Sequence, residues 1–187
     1  MGGAEYGDEV APLPYAALEA ESVAERWSGS VLYTGARATE SAYLKNPDRP
    51  NSNLIHFATH GVLGERPALL MTPEDGGDGR LDMAEILAAP IDADLVTLSA
   101  CSSGRGWVKP GEGVVGLSRA FLHAGASSVM VSLWNVNDQS TFQLMSLFYE
   151  NLDSLGPSKA LRKAQIEMIE ADAPLHQWAP FVIVGSP

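Results

Sequence analysis

Two residues in this chain carry side chains suited to nucleophilic catalysis, and each closes an apolar run. The only cysteine, Cys101, ends "DLVTLSAC" (94–101), and His60 ends "NLIHFATH" (53–60) forty-one positions earlier. A thiol becomes a strong nucleophile when an imidazole takes its proton, and the same imidazole can then protonate a leaving amine. Small residues follow both. Gly61 lets a substrate backbone approach, and the amides of Gly61 and Cys101 could point at a developing oxyanion. Each residue alone has an ordinary explanation. A single cysteine after an apolar run is usually a small core residue, and a histidine beside a strand is usually structural. The pair, each at a strand end and each followed by small residues, points to a thiol hydrolase.

The elements that must position them alternate along the chain. Helical spacing marks 16–27, and Thr39 is placed to cap a short helix over 38–45. Strands are predicted at 30–33, 53–59 and 68–71, with a glycine-rich and acidic turn at 73–80. A short helix follows over 81–89, with Asp82 as its cap, and then a buried strand over 94–100. Helices over 113–125, 140–152 and 157–171 alternate with strands over 127–134 and 180–185. Gly125 suits the end of the first of these helices and Pro157 the start of the last. Such alternation predicts an α/β layer sandwich with a mostly parallel sheet. In such sheets functional groups gather at the carboxyl ends of the strands. If the strands ending at His60 and Cys101 are neighbours, the two side chains meet at one edge.

Composition narrows the function. The chain has 187 residues and a net charge of −11, from 12 Lys plus Arg against 23 Asp plus Glu. That balance argues against nucleic acid and against anionic membranes, and favours a basic peptide or protein segment as partner. One cysteine cannot form an internal disulfide, which suits a reducing, cytoplasmic setting. The opening "MGGAEYGDEV" lacks the basic and apolar regions of a signal peptide. No metal or other cofactor is expected. "HFATH" has the histidine spacing of a zincin motif, but Phe57 stands where its glutamate belongs. His56 therefore reads as a buried, hydrogen-bonded side chain. "GEGVVG" (111–116) spells a dinucleotide motif but lies about ten residues beyond its strand, so it reads instead as a loop over the site, with Glu112 as an acceptor. His123 suits a helix end. His176 reads as a loop residue, and Arg105, Trp107 and Lys109 as a rim beyond the nucleophile.

Four segments in order, "HFATHG", "LVTLSACSSG", "GEGVVGLSRAFLHAGASSVMVSLWNVND" and "WAPFVIVG", resemble the CHAT domain. This is a family of caspase- and separase-related cysteine peptidases often found beside TPR repeats. The resemblance covers residues 12 to 186, and its ordered set is specific where any one piece is weak. It implies a three-layer caspase-like sandwich, no cofactor, His60 and Cys101 as the catalytic dyad, and Gly61 and Cys101 in the oxyanion hole. Residues 1–11 then form an N-terminal arm or an artificial leader, and 12–187 a peptidase domain, either whole or the C-terminal part of a longer protein. Many members have Glu-Thr after the cysteine, whereas this chain has Ser102 and Ser103. The Cys-Ser-Ser-Gly run resembles the arginine-specific separases, whose Leu-Trp segment ends in an aspartate. "SLWNVND" (132–138) is similar, which implies Asp138 at the base of an S1 pocket and Trp134 on its wall. The plainer reading of Asp138 is a cap for the helix beginning near Ser140.

The expected function is thus a cysteine endopeptidase cutting after Arg, or less favourably Lys. The family implies a TPR-containing regulator or a gasdermin-like pore former as partner or substrate. "PEDGGDGR", ending in Arg80, is either a self-cleavage site or, preferably, ordinary surface loop. Two alternatives stay open: an inactive peptidase fold serving as an interaction module, and a thiol hydrolase or acyltransferase acting on small molecules.

Overall fold

The computed structural model describes residues 1–6, 10–62, 66–102 and 112–186, excepting the side chains of 100–102 and 112–115. A six-stranded sheet forms the middle layer. Its strands are β1 (Leu54–Val62), β2 (Ala68–Leu70), β3 (Arg80–Asp82), β4 (Ala93–Ser102), β5 (Ala126–Ser132) and β6 (Phe181–Gly185), in the order β3-β2-β1-β4-β5-β6. The centre, β1-β4-β5, is parallel, while β2, β3 and β6 join antiparallel at the edges. Parallel neighbours need crossover helices, and those helices cover both faces.

Strand alternation divides the core in two. On one face Phe57, Leu69, Val96, Leu98, Val129 and Val131 pack with α3 (Met83–Leu87) and α4 (Glu112–Ala124), through Ile86, Leu117 and Phe121. On the other, Leu95 and Met130 meet α1 (Pro14–Ala24), α5 (Asp138–Leu155) and α6 (Pro157–Glu170), through Val23, Leu144, Phe148 and Met168. Leu95 with Val96, and Val129 with Met130, show the period-two switch between faces. The result is the expected three-layer α/β sandwich.

Local chemistry explains most boundaries. Thr39 caps α2 (Glu40–Leu44) by accepting from the Ala42 amide. Asp82 and Glu85 form a capping box on α3. Pro157 starts α6. Gly125 ends α4 at φ 122°, and a side chain there would put Cβ 1.9 Å from the Ile91 carbonyl oxygen. The expected strand at 30–33 does not form. At its C-terminal end the Gly2 amide donates to the Tyr33 carbonyl. Residues 1–3 instead lie beside β1, with Gly3 N donating to Ala58 O and Ala58 N to Met1 O. Short elements that escape sequence reading include β3, at the end of the glycine-rich turn, and α7 (Leu175–Trp178), which holds His176. From Glu112 onward the "GEGVVG" stretch is helix α4 rather than loop. Arg105, Trp107 and Lys109 lie outside the described residues.

Candidate active site

β1 and β4 run parallel in unbroken register from Leu54↔Leu95 to Gly61↔Ser102, and within it His60 pairs with Cys101. Adjacent strands lie about 4.8 Å apart, so the two residues occupy one level at the carboxyl edge of neighbouring strands. Gly61 sits between Ser102 on β4 and Leu69 on β2. Of Cys101 and Ser102 only the backbone is described.

His60 is 5% exposed and held from one side. Its Nε2 lies 2.7 Å from the Ala11 carbonyl oxygen. A carbonyl can only accept, so Nε2 carries the hydrogen and Nδ1 of the neutral ring is left with its lone pair. Nδ1 is buried with no partner among the described residues. A base nitrogen left free while a third group fixes the tautomer is the arrangement a Cys-His pair requires. The Tyr6 ring meets the imidazole edge-on at 4.8 Å. The Tyr6 hydroxyl lies 2.7 Å from Thr59 Oγ1, which itself donates to the Leu70 carbonyl, so Tyr6 is the donor of that pair. Two positions before Cys101, the Ser99 hydroxyl is also buried without a partner among the described residues.

Asp138 opens α5 but does not cap it; the Asn137 side chain does, accepting from Ser140 N at 3.1 Å. Asp138 Oδ2 instead accepts from the Tyr15 amide at 2.7 Å. That amide is one of the unpaired donors at the start of α1, whose own N-cap residue Leu13 supplies no side-chain bond. Burial pushes the Asp138 carboxyl above the usual carboxylate range. The charge of Glu19 adds to this, while the Tyr15 amide and His60 oppose it. Asp138 and His60 thus share one electrostatic neighbourhood. Trp134, four residues before Asp138, is 42% exposed in the connection from β5 to α5.

One helical turn beyond Tyr15, Glu19 enters a buried polar chain. His56 Nε2 lies 2.9 Å from Glu19 Oε1, a close contact in which neither atom completes a hydrogen bond, and His56 Nδ1 lies 2.9 Å from Tyr149 Oη. Tyr149 donates onward to Thr97 Oγ1 at 2.8 Å. Burial raises the Tyr149 pKa and so keeps its donor proton in place. His56 is thereby the buried, hydrogen-bonded residue that its place in the strand suggested. Among the described residues no cluster of His, Cys, Asp and Glu could hold a metal ion.

A family model for the CHAT domain matches residues 5–186. The chain belongs to the CHAT domain family. That family has a caspase-like peptidase fold, in keeping with the sandwich described above. Tetratricopeptide repeat protein 28 of Homo sapiens is 28% identical over 216 aligned residues, covering 94% of this chain and 8% of that protein. The Mus musculus protein of the same name is also 28% identical, with 94% and 9% covered. The chain therefore spans less than a tenth of the curated relatives it matches. Among its described residues no helix is long and apolar enough to cross a membrane.

Three contacts of this CHAT domain's site were not foreseen: the Ala11 carbonyl on His60, the Tyr6 ring beside it and the Tyr15 amide on Asp138. A main-chain carbonyl or amide has no residue type to announce it. Only Tyr6, an aromatic in a polar lead-in, carried any signal.

Proposed function

We propose that this CHAT domain is a cysteine endopeptidase with Cys101 as nucleophile and His60 as general base and acid. The reading rests on one observation: His60 and Cys101 stand at one register level on neighbouring parallel strands, with His60 Nε2 held by Ala11 and Nδ1 without a partner among the described residues. In the reaction, Nδ1 takes the thiol proton and the thiolate attacks the scissile carbonyl. The amides of Gly61 and Cys101 receive the oxyanion. The proton passes from His60 to the departing amine, leaving a thioester. Water then adds to the thioester with His60 again as base, releasing the acid and restoring the thiol.

Cleavage after arginine, with lysine second, is the specificity we assign, through Asp138 with Trp134 on the pocket wall. One carboxylate oxygen is taken by Tyr15, and no bond to Oδ1 is present among the described residues. A guanidinium meeting that oxygen makes a charge-assisted hydrogen bond. The same Tyr15 contact favours a second role for Asp138, as a clasp between α1 and α5. Given the TPR proteins among its relatives, a TPR-containing regulator is the partner we propose. A pore-forming protein of the gasdermin type, in a reducing cytoplasm, is the substrate class.

The test is turnover of fluorogenic peptides differing only at P1 (Arg, Lys, Asp, Leu) by the parent and Cys101→Ala. Turnover confined to Arg and Lys, and absent in Cys101→Ala, is the expected result. Turnover of Asp or Leu peptides would keep the dyad and remove the assignment of Asp138. Failure of every peptide, together with failure of an arginyl ketone to label Cys101, would leave an interaction module.

A further inference from the structure

The opposite edge of the sheet, where β1, β4 and β5 begin, holds a cleft of about 890 Å³. Leu54 to His60 is six strand steps, so this cleft lies about 20 Å from the candidate catalytic edge. Its floor is apolar, built from Ala20, Val23 and Trp27 after the middle of α1, with Leu54, Leu95 and Leu152. Its rim carries three exposed carboxylates, Asp48, Asp94 and Asp153. None of the three is in an ion pair among the described residues. The one arginine in the lining among the described residues, Arg49, is buried, and its Nη1 donates to the carbonyls of Ala89 and Pro90 at 2.7 and 3.2 Å.

One wall is formed by residues 28–33, the stretch whose strand did not form. Its ends are tied, Ser30 N to Trp27 O and Gly2 N to Tyr33 O. Between them Val31 and Leu32 make no backbone hydrogen bond to any described residue, and Val31 is 47% exposed. Sequences with strand propensity and free main-chain groups pair with other chains unless charge or proline blocks them. "SGSVLY" has neither.

We infer that this cleft binds an extended, basic peptide segment of a partner protein. The segment pairs its backbone with residues 30–33, lays alternate apolar side chains on the Trp27 floor, and presents Lys or Arg to Asp48, Asp94 and Asp153. Pairing with the wall demands an extended chain, because only that conformation offers main-chain groups in step with a strand. The charge follows from the rim. Three unpaired aspartates in a chain of net charge −11 repel acidic peptides and nucleic acid and attract a basic strand. The cavity falls within the ordinary range for ligand pockets, about 300–1,000 Å³. The inference is independent of any activity at Cys101.

The test uses the full chain and a fluorescein-labelled heptapeptide alternating Lys and Val, read by anisotropy. Controls are a Glu/Val heptapeptide and a Lys/Val heptapeptide N-methylated at alternate residues, which keeps charge and side chains but cannot pair. The Lys/Val peptide should bind and the Glu/Val peptide should not. N-methylation, or the triple change Asp48→Asn, Asp94→Asn, Asp153→Asn, should each raise Kd about tenfold or more. The triple change Asp75→Asn, Glu170→Asn, Asp172→Asn alters net charge equally at other exposed sites and should shift Kd by less than about twofold. The proposal is overturned if the Lys/Val peptide does not bind. It is overturned equally if the N-methylated peptide binds as well, or if the two triple variants weaken binding alike.

Discussion

Removing one oxygen atom, by Tyr149→Phe, tests the buried chain that seats α1. Tyr149 Oη is bonded on two sides, to His56 Nδ1 and to Thr97 Oγ1. Tyr149, His56 and Thr97 are 2%, 6% and 0% exposed, so water cannot replace what is lost. The ring itself stays, keeping its edge contacts with Phe148 at 4.9 Å and Trp27 at 6.0 Å. The cost is therefore that of two stranded polar groups, about 1–3 kcal/mol each. Together they should destabilise the fold by about 2–6 kcal/mol and lower Tm by about 5–20 °C for a domain of this size. Urea denaturation followed by tryptophan fluorescence measures this, with an unchanged m-value as the check on two-state behaviour.

A double-mutant cycle sharpens the result. Thr97→Val removes the acceptor at nearly constant volume and should cost about 1–2 kcal/mol alone, because it strands the tyrosine hydroxyl. In the double variant that hydroxyl is gone, so the combined loss should fall short of the sum by about 1 kcal/mol or more. A Tyr149→Phe loss below about 0.5 kcal/mol, or strict additivity in the cycle, would refute the claim that this chain bears load between α5, β1 and β4.

Other outcomes follow from the same geometry. Asp138→Asn should abolish preference for P1 arginine over leucine in the peptide series; if preference survives while the melting temperature falls, the residue is only the clasp on Tyr15. Gly125→Ala should cost more than about 3 kcal/mol, since φ is 122° and the new Cβ would sit 1.9 Å from a carbonyl oxygen; chemical denaturation measures it. Burial pushes the His56 imidazole below its ordinary 6.5, with Glu19 opposing. The unfolded chain thus takes up a proton before the folded one, so stability should fall as pH drops below about 7. His56→Gln should flatten that slope in melts between about pH 7.5 and 5.5.

Elements that carry their own chemistry were readable from sequence. Thr39, Asp82, Gly125 and Pro157 mark helix ends by side-chain and backbone preferences that act locally, and all four stand where those preferences put them. Central strands β1, β4 and β5 were readable because both faces are buried and the runs are rich in apolar residues. Edges were not. The three residues of β3 are too few to show a period, and the direction of β6 depends on β5, far along the chain. Residues 30–33 have the strand composition but lack a strand to pair with among the described residues, and composition alone cannot supply one. At the candidate site the residue types were legible and their company was not. Asp138 and Tyr15 are 123 positions apart, and the group on His60 is a carbonyl that any residue could provide.

The first helix, α1, is the element that joins these parts. α1 has no side-chain cap of its own, and its 11 residues, about 16 Å, lie across one face of the sheet. Short helices without caps are marginal by themselves, so its position is set by what it touches. The segment before it places the Ala11 carbonyl on His60, and its first turn gives the Tyr15 amide to Asp138. Its middle sends Glu19 to His56, and its far end, through Ala20, Val23 and the following Trp27, floors the cleft. A helix fixed at three places by groups from β1 and α5 cannot shift at one of them alone. The orientation of the His60 imidazole is therefore a property of how the whole of α1 is seated, and not only of the strand that carries it.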